Sequence, residues 1–127
     1  MKARQLDAKR NGEMDYDEEH DILFLKVKGR EYDHSLELED IVLDVDKEGL
    51  VTGIQIFDAS GVLNVESSAL KSIRSWEFKI RTEGKLVFVQ VTLEILRGDR
   101  VVERGQNMVR ETSSTLTESE VQCAMAV

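Results

Sequence analysis

Apolar residues recur at period two, or in short β-branched runs, through most of this chain, and this is the signature of strands rather than helices. The run Ile22-Leu23-Phe24-Leu25-Lys26-Val27-Lys28 begins apolar, starts to alternate, and stops at Gly29-Arg30, which predicts a strand and its exit. Residues 36–46 and 50–57 flank Asp46-Lys47-Glu48-Gly49, where Asp first and Gly fourth suit a type I turn, so a hairpin is predicted. Its simplest register puts Ile41, Leu43 and Val45 on one face with Val51, Gly53 and Phe57, and Val42 on the other with Ile54 and Ile56.

Residues 74–110 carry the clearest alternation. With Glu83-Gly84 as a two-residue loop, Ile80 faces Val87, Phe78 faces Val89 and Trp76 faces Val91, while Glu77, Lys79 and Arg81 point the other way. A second turn at Gly98-Asp99 returns residues 100–110 as a third strand with Ile95 opposite Val102. That register points Arg104 and Gln106 inward and sets Glu94 across from Glu103, so either the loop is longer or the strand runs past the edge of the core. The face opposite Trp76 carries Leu86, Phe88, Leu96, Val101 and Val109, too apolar for an ordinary wet face. Its cover is either the chain's own first sheet or a subunit interface, a twofold dimer being the commonest kind.

Residues 59–73 lack alternation, and Ser67 or Ser68 is placed to cap a short helix through Ile73. Residues 1–13 are polar and aperiodic and read as a flexible extension, with Met14 as a second candidate start. In the tail, residues 112–127, Thr117 and Glu120 form a capping-box pattern, so a frayed end or a short docked helix is expected. The expected fold is mainly β: about six strands in two antiparallel meanders, a sandwich or incomplete barrel over residues 14–111, joined by a short helical segment. Trp76, Phe78, Ile80, Val89, Val91, Leu43, Ile54 and Ile56 are its expected core.

Length and charge narrow the function classes. At 127 residues the chain is the size of one domain, and 41% hydrophobic residues suffice for a core. The net charge of −8 repels phosphate backbones, so neither nucleic acid nor an anionic membrane is expected as a partner. Residues 1–66 hold 17 acidic and 8 basic side chains, a net of −9, which would suit a basic protein partner. The one cysteine, Cys123, can form neither an internal disulfide nor a cysteine-based zinc site. With no signal-like apolar core and no apolar run near the roughly twenty residues of a membrane span, a cytoplasmic location is expected.

The candidate chemistry is sparse. Asp44, Asp46, Glu48 and Gly49 imitate the start of a calcium loop, but the twelfth position is Gln55, which cannot supply the bidentate carboxylate. Residues 16–21 place Asp17, Glu18, Glu19, His20 and Asp21 behind Tyr16, and a carboxylate beside histidine can act as a general base or metal ligand. A metal needs three convergent ligands, however, and the other histidine, His34, lies in no HxH or HxxxH pattern. The structural alternative is that Asp17 and Asp21 bind backbone groups of a turn. Ser60 and Cys123 lie in no nucleophile signature, and Ser60 reads as a helix cap. No Gly-rich phosphate loop is present, and Arg97-Gly98-Asp99 is ordinary hairpin chemistry. No catalytic, cofactor or metal residue is therefore assigned. Tyr16, Asp17, His20, Asp21 and Asp58 form a weak candidate site for an enzyme or small-ligand reading.

Tyr16-Asp17, Asp21 followed by Leu23-Phe24-Leu25, and Gly53-Ile54-Gln55-Ile56-Phe57-Asp58-Ala59-Ser60 together resemble domain-of-unknown-function family 2283, small prokaryotic proteins with no established activity. The resemblance spans residues 16–60, with residues 74–110 similar to the second β segment of longer members. It departs at Gln55, where an acidic residue is usual, and in the residues ahead of Met14. It implies a mainly β fold and no catalytic residue. Some short members are thought to be encoded beside small toxin-like proteins, which implies an antitoxin-like partner of a basic protein. The expectation is thus a non-catalytic interaction module that self-associates.

Overall fold

In the computed structural model, which describes residues 3–127, the alternating segments form ten strands in two five-stranded sheets. The strands are β1 (Arg4–Lys9), β2 (Gly12–Asp17), β3 (Ile22–Val27), β4 (Tyr32–Leu38), β5 (Ile41–Asp46), β6 (Val51–Phe57), β7 (Ile73–Glu83), β8 (Leu86–Arg97), β9 (Arg100–Glu111) and β10 (Ser119–Ala126). A one-turn helix α1 (Ala59–Val62) and a 3₁₀ segment (Ser67–Ser72) join β6 to β7. The first sheet runs β2-β3-β6-β5-β4 and the second β1-β10-β7-β8-β9; every pairing is antiparallel except β1 with β10. The expected mainly β fold, two β regions joined by a helical segment, is what forms, as an open sandwich rather than a closed barrel; the first sheet is not the expected simple meander, because β3 pairs with β6 and β4 lies at the far edge. Among the described residues no helix is long and apolar enough to cross a membrane.

The inner faces of both sheets meet in one apolar cluster, with Leu23, Leu25, Ile41, Leu43, Ile54 and Ile56 packed against Trp76, Phe78, Ile80, Val89, Val91 and Leu93. Each such side chain contributes about 1.5–3 kcal/mol by leaving water. All eight expected core residues lie in this cluster. β2 enters over β7 and β10 at Gly12. A Cβ on Gly12 would stand 2.6 Å from Cys123 Sγ and inside contact distance of the Trp76 ring, so only glycine fits there.

Registers decide which faces are buried. Ile80 pairs with Val89, Phe78 with Val91 and Trp76 with Leu93, two residues beyond the expected partners. The loop is Gly84-Lys85 because its positive φ, 61° at Gly84, belongs at the first central position of a type II′ turn. A displacement of two residues keeps every side chain on its face, so the expected core survives. In the β5–β6 hairpin the opposite holds. Asp44 pairs with Gly53 and Val45 with Val51, leaving Thr52 as an extra residue in a bulge. That single residue turns Ile54 and Ile56 onto the face of Ile41 and Leu43, correcting the expected separation. The β8–β9 register, Ile95 with Val102 and Glu94 with Glu103, is as expected. Arg104 and Gln106 are not sealed in, because β9 is the edge strand and runs past the core.

Three segments differ from expectation. Arg4–Lys9 is a strand, not a flexible extension: it pairs through its backbone with β10, and only Leu6 and Ala8 turn toward the core, too short an apolar alternation to mark a strand. Residues 1–2 lie outside the described residues. The tail forms neither a frayed end nor a helix, because Val121 and Cys123 alternate with Glu120 and Gln122 and fill the second sheet beside β7. Neither Ser67 nor Ser68 caps the 3₁₀ segment, whose N-cap is Glu66 without a side-chain bond.

The candidate Asp21 site

The turn after β2 brings the candidate residues into one region but leads most of them to structural partners. Asp21 closes the turn in the left-handed region, with φ 55°, a conformation that Asp tolerates better than most residues. Its carbonyl accepts the Ala59 N–H at 3.0 Å. Its carboxylate accepts the Ser60 N–H at 3.1 Å, the Ser60 hydroxyl at 2.6 Å and the Tyr16 hydroxyl at 2.6 Å. Asp21 is thus a staple between the β2–β3 turn and the start of α1. Burial opposes ionisation of this carboxyl, but the bonds from Ser60 and Tyr16 outweigh it and hold the group below its ordinary range. A carboxylate whose two oxygens already accept four contacts has no lone pair directed at a substrate.

The other members diverge. Asp17 Oδ1 accepts the His20 N–H at 3.2 Å and Oδ2 lies 2.8 Å from His20 Nδ1, bonds that lower the Asp17 carboxyl below its ordinary value. This is the expected side-chain turn, formed at the protein surface. Asp58 is exposed and left-handed at the N-cap of α1, and its carboxylate makes no cap bond. It lies over Gly61, where a Cβ would come 2.6 Å from Oδ2. Ser60 does not cap α1: it sits inside the first turn and donates to Asp21, the partner that sequence reasoning missed. The signal for it was the inclusion of Ser60 in the resembling segment. Among the described residues no three His, Cys, Asp or Glu side chains converge on a metal position.

Tyr16 gives a direct readout of the staple. Burial first, then the hydrogen bond and negative charge of Asp21 and the nearby charges of Glu18 and Asp17, raise the phenol well above its ordinary 10.0. Because the folded value is raised, this group's stabilisation is complete below pH 10.0 and is lost as pH climbs through the folded value. In a Tyr32→Phe background, tyrosinate absorbance at pH 10.0 is expected to stay near zero while the protein is folded and to appear together with unfolding. Half-ionisation of native Tyr16 at that pH would contradict the geometry.

The residues imitating a calcium loop also separate. Asp46 is buried and accepts the N–H groups of Glu48 and Leu50 at 2.9 and 3.0 Å and the Arg30 guanidinium at 2.8 Å. Asp44 instead faces outward and accepts the Ser35 hydroxyl at 2.9 Å. Cys123 is buried, and burial pushes its thiol up to about 11, so it is not an available nucleophile.

The proposed apolar interface is divided. The first sheet covers the Trp76 face of the second sheet, not the face of Phe88. On that outer face Phe88 pairs with Val109 beside Leu86, and Leu96 pairs with Val101, with Gln90, Thr92 and Glu94 between the two groups. A groove at the first group is lined by Lys79, Arg81, Phe88, Asn107, Val109 and Glu120, with the Arg81 guanidinium 4.1 Å from the Phe88 ring centre.

The family described as "Protein of unknown function (DUF2283)" matches residues 13–60, the stretch holding β3 to β6 and the whole Asp21 staple. An uncharacterised protein of Methanocaldococcus jannaschii is 30% identical over 109 residues, 85% of this chain and 94% of that protein. A Methanosarcina mazei protein with the provisional name hypoxanthine phosphoribosyltransferase is 26% identical over 91 residues, 72% of this chain and 74% of that protein. No solved structure matches. An alignment that takes in nearly the whole archaeal relative necessarily reaches well into the second sheet, and with the family's own segment matched across the first, the chain belongs to the DUF2283 family of proteins of unknown function.

Proposed function

We propose that this family member is a non-catalytic, cytoplasmic protein-interaction module that self-associates. The observation that carries this reading is the free edge of the second sheet. β9 has twelve residues, is paired only with β8, and exposes Val101 and Val109 by 55% and 53%. A long, one-sided strand is a template for further pairing. The chemistry of the Asp21 site supports the same reading, since its carboxylate is consumed by the staple. Phosphoribosyl transfer, suggested by the name of the Methanosarcina relative, fits poorly: the Ser60 amide at the start of α1 is already bound to Asp21, and the carboxylates of Asp21 and Asp58 there would repel a diphosphate.

A second reading, a basic protein as an additional partner, is favoured by the outer face of the first sheet. Glu13, Asp15, Asp17, Asp44 and Glu37 stand there with Lys26 as the one cation on the β2–β3 pair. Such a face attracts a basic surface and releases it as salt screens the charges.

Light scattering across a dilution series tests self-association. The expected mass is twice 14.4 kDa at the concentrated end, falling toward 14.4 kDa on dilution. A single 14.4 kDa species throughout would overturn it. Association with a basic protein would add mass at low salt and lose it at high salt.

A further inference from the structure

We infer that the partner of β9 is β9 of a second copy, antiparallel about a twofold axis through Gly105, so that two five-stranded sheets become one continuous sheet. This rests on the self-association proposed above and specifies its geometry.

Backbone alternation restricts the choice first. The two-residue loop Gly98-Asp99 makes Arg97 and Arg100 a hydrogen-bonded pair. Hydrogen-bonded and non-hydrogen-bonded pairs then alternate along the ladder. Val101, Glu103, Gly105, Asn107 and Val109 therefore turn their N–H and C=O groups away from β8 and toward the free edge. Their side chains share the outer face with Phe88 and Leu96. A second strand that uses these groups and keeps the two outer faces continuous must pair odd-numbered residues with odd-numbered residues.

Side-chain chemistry then selects among the registers. An axis at Glu103 sets that carboxylate against its own copy, and an axis at Asn107 sets Glu103 against Glu111, like charges in both cases. Axes at Arg104 and Gln106 place Val101 against Asn107 and Glu111 respectively. Of these axes, the one at Gly105 alone matches apolar with apolar: Val101 meets the second copy's Val109 and Glu103 meets the second copy's Asn107, while the one like-charge contact, Arg100 with the second copy's Arg110, is offset by the ion pair of Arg110 with Asp40. Gly105, with no side chain, lies on the axis itself, where the two chains approach most symmetrically.

This register also resolves the divided apolar face. Phe88 already pairs with Val109, and Leu96 with Val101. Across the axis each Val109 abuts a Val101, so the small groups at opposite ends of one sheet join into a four-residue row: Phe88, Val109, then Val101 and Leu96 of the second copy. The twofold axis produces the row twice. On the inner side Val102 meets the second copy's Met108, extending the core past the lip where β9 leaves the first sheet.

The test uses the full chain, whose native Cys123 is buried. Glu103→Cys and Asn107→Cys variants are prepared separately and then mixed under mild oxidation. The expected result is a covalent dimer in the mixture and none from either variant alone, because each position faces the other across the axis and not itself. A Val101→Lys variant, altered at a position 55% exposed, is expected to keep the monomer's melting temperature while raising the dimer dissociation constant at least about tenfold. A dimeric mass with cross-links from single variants, or with none in the mixture, would overturn this register and leave self-association standing. A monomer at every concentration would overturn both.

Discussion

Replacing Phe78 by alanine is expected to cost about 3–5 kcal/mol of stability, a large part of the 5–15 kcal/mol that holds a typical domain. Phe78 is fully buried, its ring centre is 6.0 Å from that of Trp76 in a stacked arrangement, and it pairs with Cys123 on one side and Val91 on the other. Strands on both sides fix the cavity walls, so the site cannot collapse to refill the lost volume. Urea or thermal denaturation measures the loss. A change below about 1 kcal/mol would mean that the two sheets do not share the core described above.

The second large effect is expected at Asp21. An Asp21→Asn variant keeps the size and the tolerance of φ 55°, and removes the charge alone. The Asn amide presents N–H groups where the Ser60 amide is also a donor, so one buried bond is lost and two others weaken. With charge-assisted bonds worth about 1.5–3 kcal/mol each and partial exposure discounting their sum, a loss of about 2–3 kcal/mol is expected. The pH dependence has a definite sign. Asp21 titrates below its ordinary 3.8 in the folded protein, so its stabilisation is complete above that value and is lost as pH falls through the folded one. The variant should therefore lack an acid-sensitive component that the native protein shows. Unchanged stability at neutral pH would free Asp21 from its structural role and return the region to ligand chemistry.

Much of this was legible in the residues, and the exceptions share a cause. The alternation of Trp76, Phe78 and Ile80 identifies the buried face whatever the loop, because an even displacement preserves faces. The same reasoning fails at Thr52, where one bulged residue inverts the assignment of Ile54 and Ile56, and nothing in the sequence marks a bulge before its partner strand is known. β10 did carry an alternating signal in Val121 and Cys123, overshadowed by the spacing of Thr117 and Glu120. β1 carried only Leu6 and Ala8, and its place depends on backbone bonds to a strand at the far end of the chain. The candidate site shows the same division. The Asp17 and His20 contact is local and readable, whereas the Asp21 and Ser60 contact joins residues with two hairpins between them.

The parallel pairing of Arg4 with Ser119 imposes an order of events on the growing chain. Hairpins such as β7–β8 and β8–β9 close within microseconds once both strands exist, far faster than residues are added. Of the ten strands, β1 is made first and must wait for β10, made last. Gln5, Asp7 and Lys9 make one face of it polar and the other holds only Leu6 and Ala8 as apolar groups, so it waits in water with little apolar surface to hide. The second sheet is thus assembled from its middle outward, and the earliest of its strands to be synthesised is the last to be placed.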